Sequence, residues 1–158
     1  MEVLHPHCAG LDVHQKTVVA CVRKAQGGRV EIETRTFPTS TRGLLLLATW
    51  LHEHGVTHAV MESTGVYWKP VWHVLDDGDL ALTLANARDV KNLPGRKTDV
   101  NDAQWLADLL AHGLVRPSFV APQPIQELRD LTRTRKQLVR ERAQHIQRVQ
   151  KTLENANL

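Results

Sequence analysis

Four acidic residues stand where carboxylates could cooperate. Asp12 ends the apolar run CAGLD, Glu62 follows HAVM, and Asp99 and Asp102 lie three apart in TDVNDAQWLADLL. Residues three apart at a helix start share one face of its first turn. Taken singly, an Asp there is usually a cap and a Glu after a strand is usually a surface residue. As a set they need a counter-charge, because two unit charges ~4 Å apart repel by about 4 kcal/mol at an effective dielectric of 20. Hard oxygen donors without clustered His or Cys favour Mg²⁺ or Mn²⁺ over zinc. Two such ions ~3.5–4 Å apart would stabilise both the attacking and the leaving oxygen of a phosphodiester.

The elements that must position these groups are legible in the hydrophobic period. Residues 8–13 and 17–22 are apolar and β-branched, and 30–37 (VEIETRTF) alternates apolar and polar. With Gly27-Gly28 as a turn, these three segments predict an antiparallel meander with a half-exposed third strand. The period then becomes helical, capped by Thr41 and ended by Gly55, with Leu44, Leu47 and Leu51 on one stripe. Residues 58–61 predict a buried strand with Glu62 at its C-terminal end, 66–75 a helix, and 80–84 a fifth strand. A polar, basic loop NARDVKNLPGRKT leads to a helix over 99–111. Pro117, Pro122 and Pro124 punctuate a linker. From Ile125 to about Leu153 no Pro or Gly interrupts one long helix with a sparse stripe of Leu128, Leu131, Leu138, Ile146, Val149 and Leu153, as in a helical hairpin or a coiled coil.

The order βββ-α-β-α-β-α predicts an α/β fold: a mixed five-stranded sheet with flanking helices, followed by the long C-terminal helix. In a sheet whose first and fourth strands run parallel and adjacent, Asp12 and Glu62 emerge at one end, where open α/β sheets place ligands. Asp99 and Asp102 join them if their helix packs beside the sheet. The order resembles two superfolds, the ribonuclease-H-like nucleases and the actin-like sugar and acetate kinases. A kinase phosphate loop needs Gly soon after its Asp, and Val13-His14-Gln15 stand there instead. The division expected is a catalytic domain over 1–122 and a basic helix over 123–158.

Charge separates the same two parts. Residues 125–158 hold eight Lys and Arg against four acids, while the remainder holds 12 against 13, so the net +3 resides in the tail. Such asymmetry points to a polyanionic partner, or to a solvated Arg-rich helix. Arg133, Arg135, Lys136, Arg140 and Arg142 of the tail, with Arg88, Lys91, Arg96 and Lys97 of the basic loop, are the candidate phosphate contacts. Tyr67, Trp68 and Trp72 could stack on bases, although packing a helix on a sheet is their commoner use. His14, two residues beyond Asp12, could touch a phosphate or a metal-bound water, or be only a turn residue. His5, His7 and Cys8 lack the second ligand pair of a zinc site. Cys8 and Cys21 read as small buried hydrophobes in a reducing cytoplasm, and neither a secretory signal nor a membrane span is expected.

The segments GLDVHQKTVVACV, AVMESTGVYWKPV and LANARDVKNLPGRKTDVNDAQWLADLLAHGLV, with the Arg-rich helix after them, resemble the N-terminal DEDD domain of insertion-sequence transposases of the IS110 type. These are RuvC-like, RNA-guided DNA recombinases, and their relatives include the Piv-type DNA invertases. The stretches PGRKTDxxDAxWLAxLL and ESTGxYW carry the likeness. It implies a ribonuclease-H-like (RuvC-like) fold and places the D-E-D-D set on Asp12, Glu62, Asp99 and Asp102. It also implies two Mg²⁺ or Mn²⁺ ions, DNA and a guide RNA as partners, and a homo-oligomer. Members continue into a C-terminal domain with a DNA-attacking serine. The chain stops at Leu158, and Ser40, Ser63 and Ser118 do not sit in that pattern. The expectation is a transposase or recombinase domain, not competent alone for full strand exchange. The alternative is a non-catalytic module that docks guide RNA or DNA and assembles subunits.

Overall fold

The computed structural model describes residues 2–62, 65–76, 78–91 and 101–158, without the side chain of Lys91. β1 (His7–Val13), β2 (Thr17–Gln26) and β3 (Arg29–Pro38) form the expected meander. Gly27 and Gly28 join the last two with φ of 58° and 77°, the left-handed pair that a two-residue hairpin needs. α1 (Thr41–Glu53) follows, and its cap is Ser40, whose hydroxyl accepts the Gly43 amide at 3.3 Å; Thr41 is already helical. Gly55, at φ 64°, closes α1 while its amide and that of Val56 reach back to His52 and Leu51.

β4 (His58–Glu62), α2 (Trp68–Leu75), β5 (Ala81–Ala85), α3 (Ala87–Lys91), α4 (Asp102–Ala111) and α5 (Gln123–Asn155) complete the order. The sheet runs β3-β2-β1-β4-β5, with β1, β4 and β5 mutually parallel and β2 antiparallel to both its neighbours. β3 is more exposed than its alternation suggests, since Phe37 is its one buried residue. It lies at the sheet edge.

The two faces are covered by different helices. Phe37 meets Trp50 of α1 with ring centroids 5.4 Å apart, and α2 packs against α1 through its buried Val71 and Leu75. On the other face Cys8, Val60 and Ala85 share a buried cluster with Leu106, Leu109 and Leu110 of α4. Trp68 and Trp72 are half-buried and pack edge to face, 6.0 Å apart, while Tyr67 is exposed. They are neither wholly core nor wholly surface.

The chain divides into two units, Met1–Phe119 and Val120–Leu158. The segment after α4 is less of a free linker than its prolines suggest: Pro117 bridges Ala85, and the Ser118 amide donates to Leu84 at 2.7 Å. In the second unit α5 is one uninterrupted helix of 33 residues, about 50 Å long, with a proline in its first turn. Its stripe of Leu131, Leu138, Ile146, Val149 and Leu153 is exposed. Among the described residues no helix is long and apolar enough to cross a membrane.

Cys8 and Cys21 are both buried free thiols. Burial pushes the Cys8 thiol from 9.0 up to about 11, against the opposing pull of Arg23, and burial raises Cys21 as well. A raised folded pKa means stability fully present below pH 9 and lost as pH climbs through about 11. Neither thiol should react with a disulfide reagent at pH 8 in the folded protein, and both should react once it is unfolded by denaturant.

Candidate active site

The parallel pairing of β1 with β4 sets the site. Its register matches Cys8 with His58, Gly10 with Val60 and Leu11 with Met61, so Asp12 and Glu62 are the next residues at the C-terminal end. Side chains alternate along a strand, and Cys8 and Val60 both face α4. Asp12 and Glu62 therefore emerge on that same face, from strands spaced about 4.8 Å apart. Glu62 is paired in turn with Ala85 at the end of β5.

α4 packs directly against β1. Gly10 permits this, because a Cβ there would collide with the Ala103 carbonyl oxygen and lie 2.5 Å from the Ala107 amide nitrogen. The helix backbone thus rests directly on β1. The Ala111 carbonyl at the helix end accepts the amides of Leu4 and His5 at 2.8 and 3.2 Å, before β1 begins. α4 accordingly runs antiparallel to β1, and its first residue, Asp102, lies toward the end that carries Asp12 and Glu62. Asn101 caps the helix, its side-chain oxygen accepting the Ala103 amide at 2.9 Å. α4 begins at Asp102, behind its Asn101 cap, rather than at residue 99. Asp99, Arg96 and Lys97 lie outside the described residues.

Arg23 of β2 fixes the same helix from the side. Its Nε donates to Asp108 Oδ1 of α4 at 2.8 Å, and Arg23 is 5% exposed. Sequence reasoning missed this pair, because a charged residue after TVVACV reads as the end of a strand. β2 instead continues four residues further, to Gln26. His14 is the other contact not foreseen in its detail: its Nε2 lies 3.0 Å from Asp12 Oδ2.

The basic loop contains α3, a short helix anchored by buried Val90. The Asn86 side chain accepts the Arg88 amide at 2.9 Å, and Asn86 directly follows Ala85, so exposed Arg88 stands at the Glu62 end of the sheet. Lys91 closes α3. Arg133, Arg135, Lys136, Arg140 and Arg142 are exposed along α5 in the second unit. At the opposite end of the sheet His5 stacks on His58 at 3.9 Å, while the Cys8 thiol donates to the Ala107 carbonyl at 3.5 Å, so His5, His7 and Cys8 do not gather as ligands.

Among the described residues no three His, Cys, Asp or Glu side chains come together as a complete metal cage. The donor set nonetheless suits Mg²⁺, which binds through one or two carboxylates and completes its shell with water and substrate phosphate. Asp12 and Glu62 end adjacent strands on one face.

The fold is similar to that of Thermus thermophilus RuvC, with 13% identity, a TM-score of 0.51, and coverage of 71% of this chain and 99% of that one. T. thermophilus RuvC in complex with Holliday junction substrate matches at 11% identity and TM-score 0.48, over 72% and 100% of the two chains. Fowlpox virus resolvase in complex with Holliday junction DNA matches at 8% and 0.41, over 58% and 65%. No curated protein is a significant match to the sequence. The strand order and the likeness to T. thermophilus RuvC give the first unit a RuvC-like, ribonuclease-H-like fold, with a long helix following it in the chain. The sequence itself matches a family described as transposase over residues 9–157, nearly its whole length, and the chain belongs to that family, the DEDD transposases of the IS110 type.

Proposed function

We propose that this transposase chain processes DNA phosphodiesters at the end of the sheet that carries Asp12 and Glu62, with two Mg²⁺ or Mn²⁺ ions held by Asp12, Glu62, Asp99 and Asp102. What supports the reading is the β1–β4 register, which leaves Asp12 and Glu62 at the ends of adjacent strands on the face covered by α4, whose N-terminus lies toward the same end. When bound, divalent ions would supply Lewis-acid stabilisation of the developing charge on the phosphate oxygens. The chain's own residues do the rest. The carboxylates hold the ions, Gly10 lets α4 approach closely enough to contribute Asp102, and Arg88, with Lys91, Arg96 and Lys97, meets the flanking phosphates.

Asp12→Asn and Glu62→Gln should each lower Mg²⁺-dependent nicking of branched DNA by about 100-fold or more, the equivalent of about 2.7 kcal/mol of barrier. DNA binding, followed by fluorescence anisotropy, should be retained. Nicking that survives both substitutions would sink the proposal.

A second reading is favoured by α5, whose exposed apolar stripe runs beside Arg133, Arg135, Lys136, Arg140 and Arg142. Here the chain docks DNA or a guide RNA and assembles as a homo-oligomer without cutting. That reading predicts steep, log-linear loss of affinity with salt and no metal-dependent nicking at all.

A further inference from the structure

We infer that His14 is a positioning residue that orients the Asp12 carboxylate for a small divalent cation. The inference rests on the metal reading above and goes beyond it, from which residues hold an ion to what holds one of them in place. His14 Nε2 lies 3.0 Å from Asp12 Oδ2. An ionised carboxylate oxygen only accepts, so Nε2 carries the hydrogen and donates it. The Asp12 side chain is 23% exposed and that of His14 58%, so the bond spans from a partly sheltered carboxylate to an open ring.

The backbone beneath His14 is tied down. Its amide donates to the Thr17 carbonyl at 2.9 Å, closing the turn between β1 and β2. Thr39, just past β3, holds the same turn from outside: its amide donates to the Lys16 carbonyl at 3.0 Å and its hydroxyl to the Gln15 carbonyl at 2.8 Å. A ring on such a fixed turn reaches back two residues, on the same strand face, to Asp12. With Oδ2 engaged by His14, the other oxygen is the one presented to an ion. The carboxylate then binds through a single oxygen. That geometry suits Mg²⁺ and Mn²⁺, whereas Ca²⁺ readily takes a carboxylate through both oxygens. Hydrogen-bond partners of ligating groups typically tune metal affinity by about 10–100-fold.

The test is calorimetric titration of the full chain with Mn²⁺, and separately with Ca²⁺, for wild type, His14→Ala, His14→Gln and Asp12→Asn. His14→Ala should bind Mn²⁺ about 10-fold more weakly and lose part of its preference over Ca²⁺. His14→Gln, whose amide donor reaches a similar distance, should restore the affinity to within about threefold of wild type. The melting temperature of metal-free His14→Ala should match that of wild type, since a half-exposed pair adds little to stability. Unchanged or tighter Mn²⁺ binding by His14→Ala would overturn the inference, as would failure of His14→Gln to recover. Absent binding by wild type, or binding that survives Asp12→Asn, would instead remove the metal reading, and the role of His14 with it.

Discussion

Asp108→Ala should destabilise the protein by about 3–5 kcal/mol, because it leaves the buried Arg23 guanidinium without its carboxylate. Arg23 Nη1 already has no hydrogen-bond partner among the described residues, so nothing nearby stands ready to replace Asp108. Taking the guanidinium out of water costs several kcal/mol, and the Asp108 carboxylate, itself about a third exposed, offsets this only while it is present. Replacing both partners with apolar residues of similar volume, as in Arg23→Met with Asp108→Leu, should therefore recover most of the loss. Chemical denaturation of the single and double variants checks this. A single variant within about 1 kcal/mol of wild type, or a double variant no better than the single, would show that α4 is not held by this pair.

Gly10→Ala should be comparably damaging for a different reason. The added methyl meets backbone atoms of Ala103 and Ala107, and helix backbone cannot turn aside as a flexible side chain can. Overpacking of this kind costs about 3 kcal/mol, which corresponds to a fall in melting temperature on the order of 10 °C. The effect should also reach the site. If α4 rides outward from β1, Asp102 moves with it, and affinity for Mn²⁺ should drop even in the fraction that remains folded. Gly113→Ala, at φ 68° beyond the other end of α4, is the control: its loss of stability should leave Mn²⁺ affinity in the folded protein unchanged.

The parts of the molecule set by local chemistry were legible in the residues alone. VEIETRTF as a strand, the Gly27-Gly28 pair as its hairpin turn and HAVM as a buried strand each have one simple structural solution, and the structure adopts them, with β3 more exposed than its alternation implies. Asp12 and Glu62 could be placed because a parallel pair of strands leaves their ends at the same level. The parts set by competition were not. Residues 99–111 have helical spacing throughout, yet the Asn101 side chain bonds the Ala103 amide as a cap, and α4 starts at Asp102. Thr41 and Ser40 are both good caps, and only the folded chain shows that Ser40 takes the role. α3 is too short and polar to leave a periodic signal, and its existence depends on Asn86 and on burial of Val90. Long-range ties are the least readable. Nothing in the local sequence marks Arg23 for Asp108, 85 residues away, or His14 for the carboxylate beside it rather than for solvent.

Divalent cations bound at the C-terminal ends of β1 and β4 would leave a local magnetic signature if they are paramagnetic. Paramagnetic Mn²⁺ broadens nearby amide resonances in a two-dimensional NMR spectrum, and a substoichiometric addition to the isotope-labelled chain reads the location directly. Selective broadening is expected at Asp12, Val13, Glu62, Asn86 and Asp102, with His5 and His58 at the far end of the sheet spared. Broadening centred on those histidines, or spread evenly over exposed acids with Asp12 and Glu62 still sharp, would contradict a site at the ends of β1 and β4.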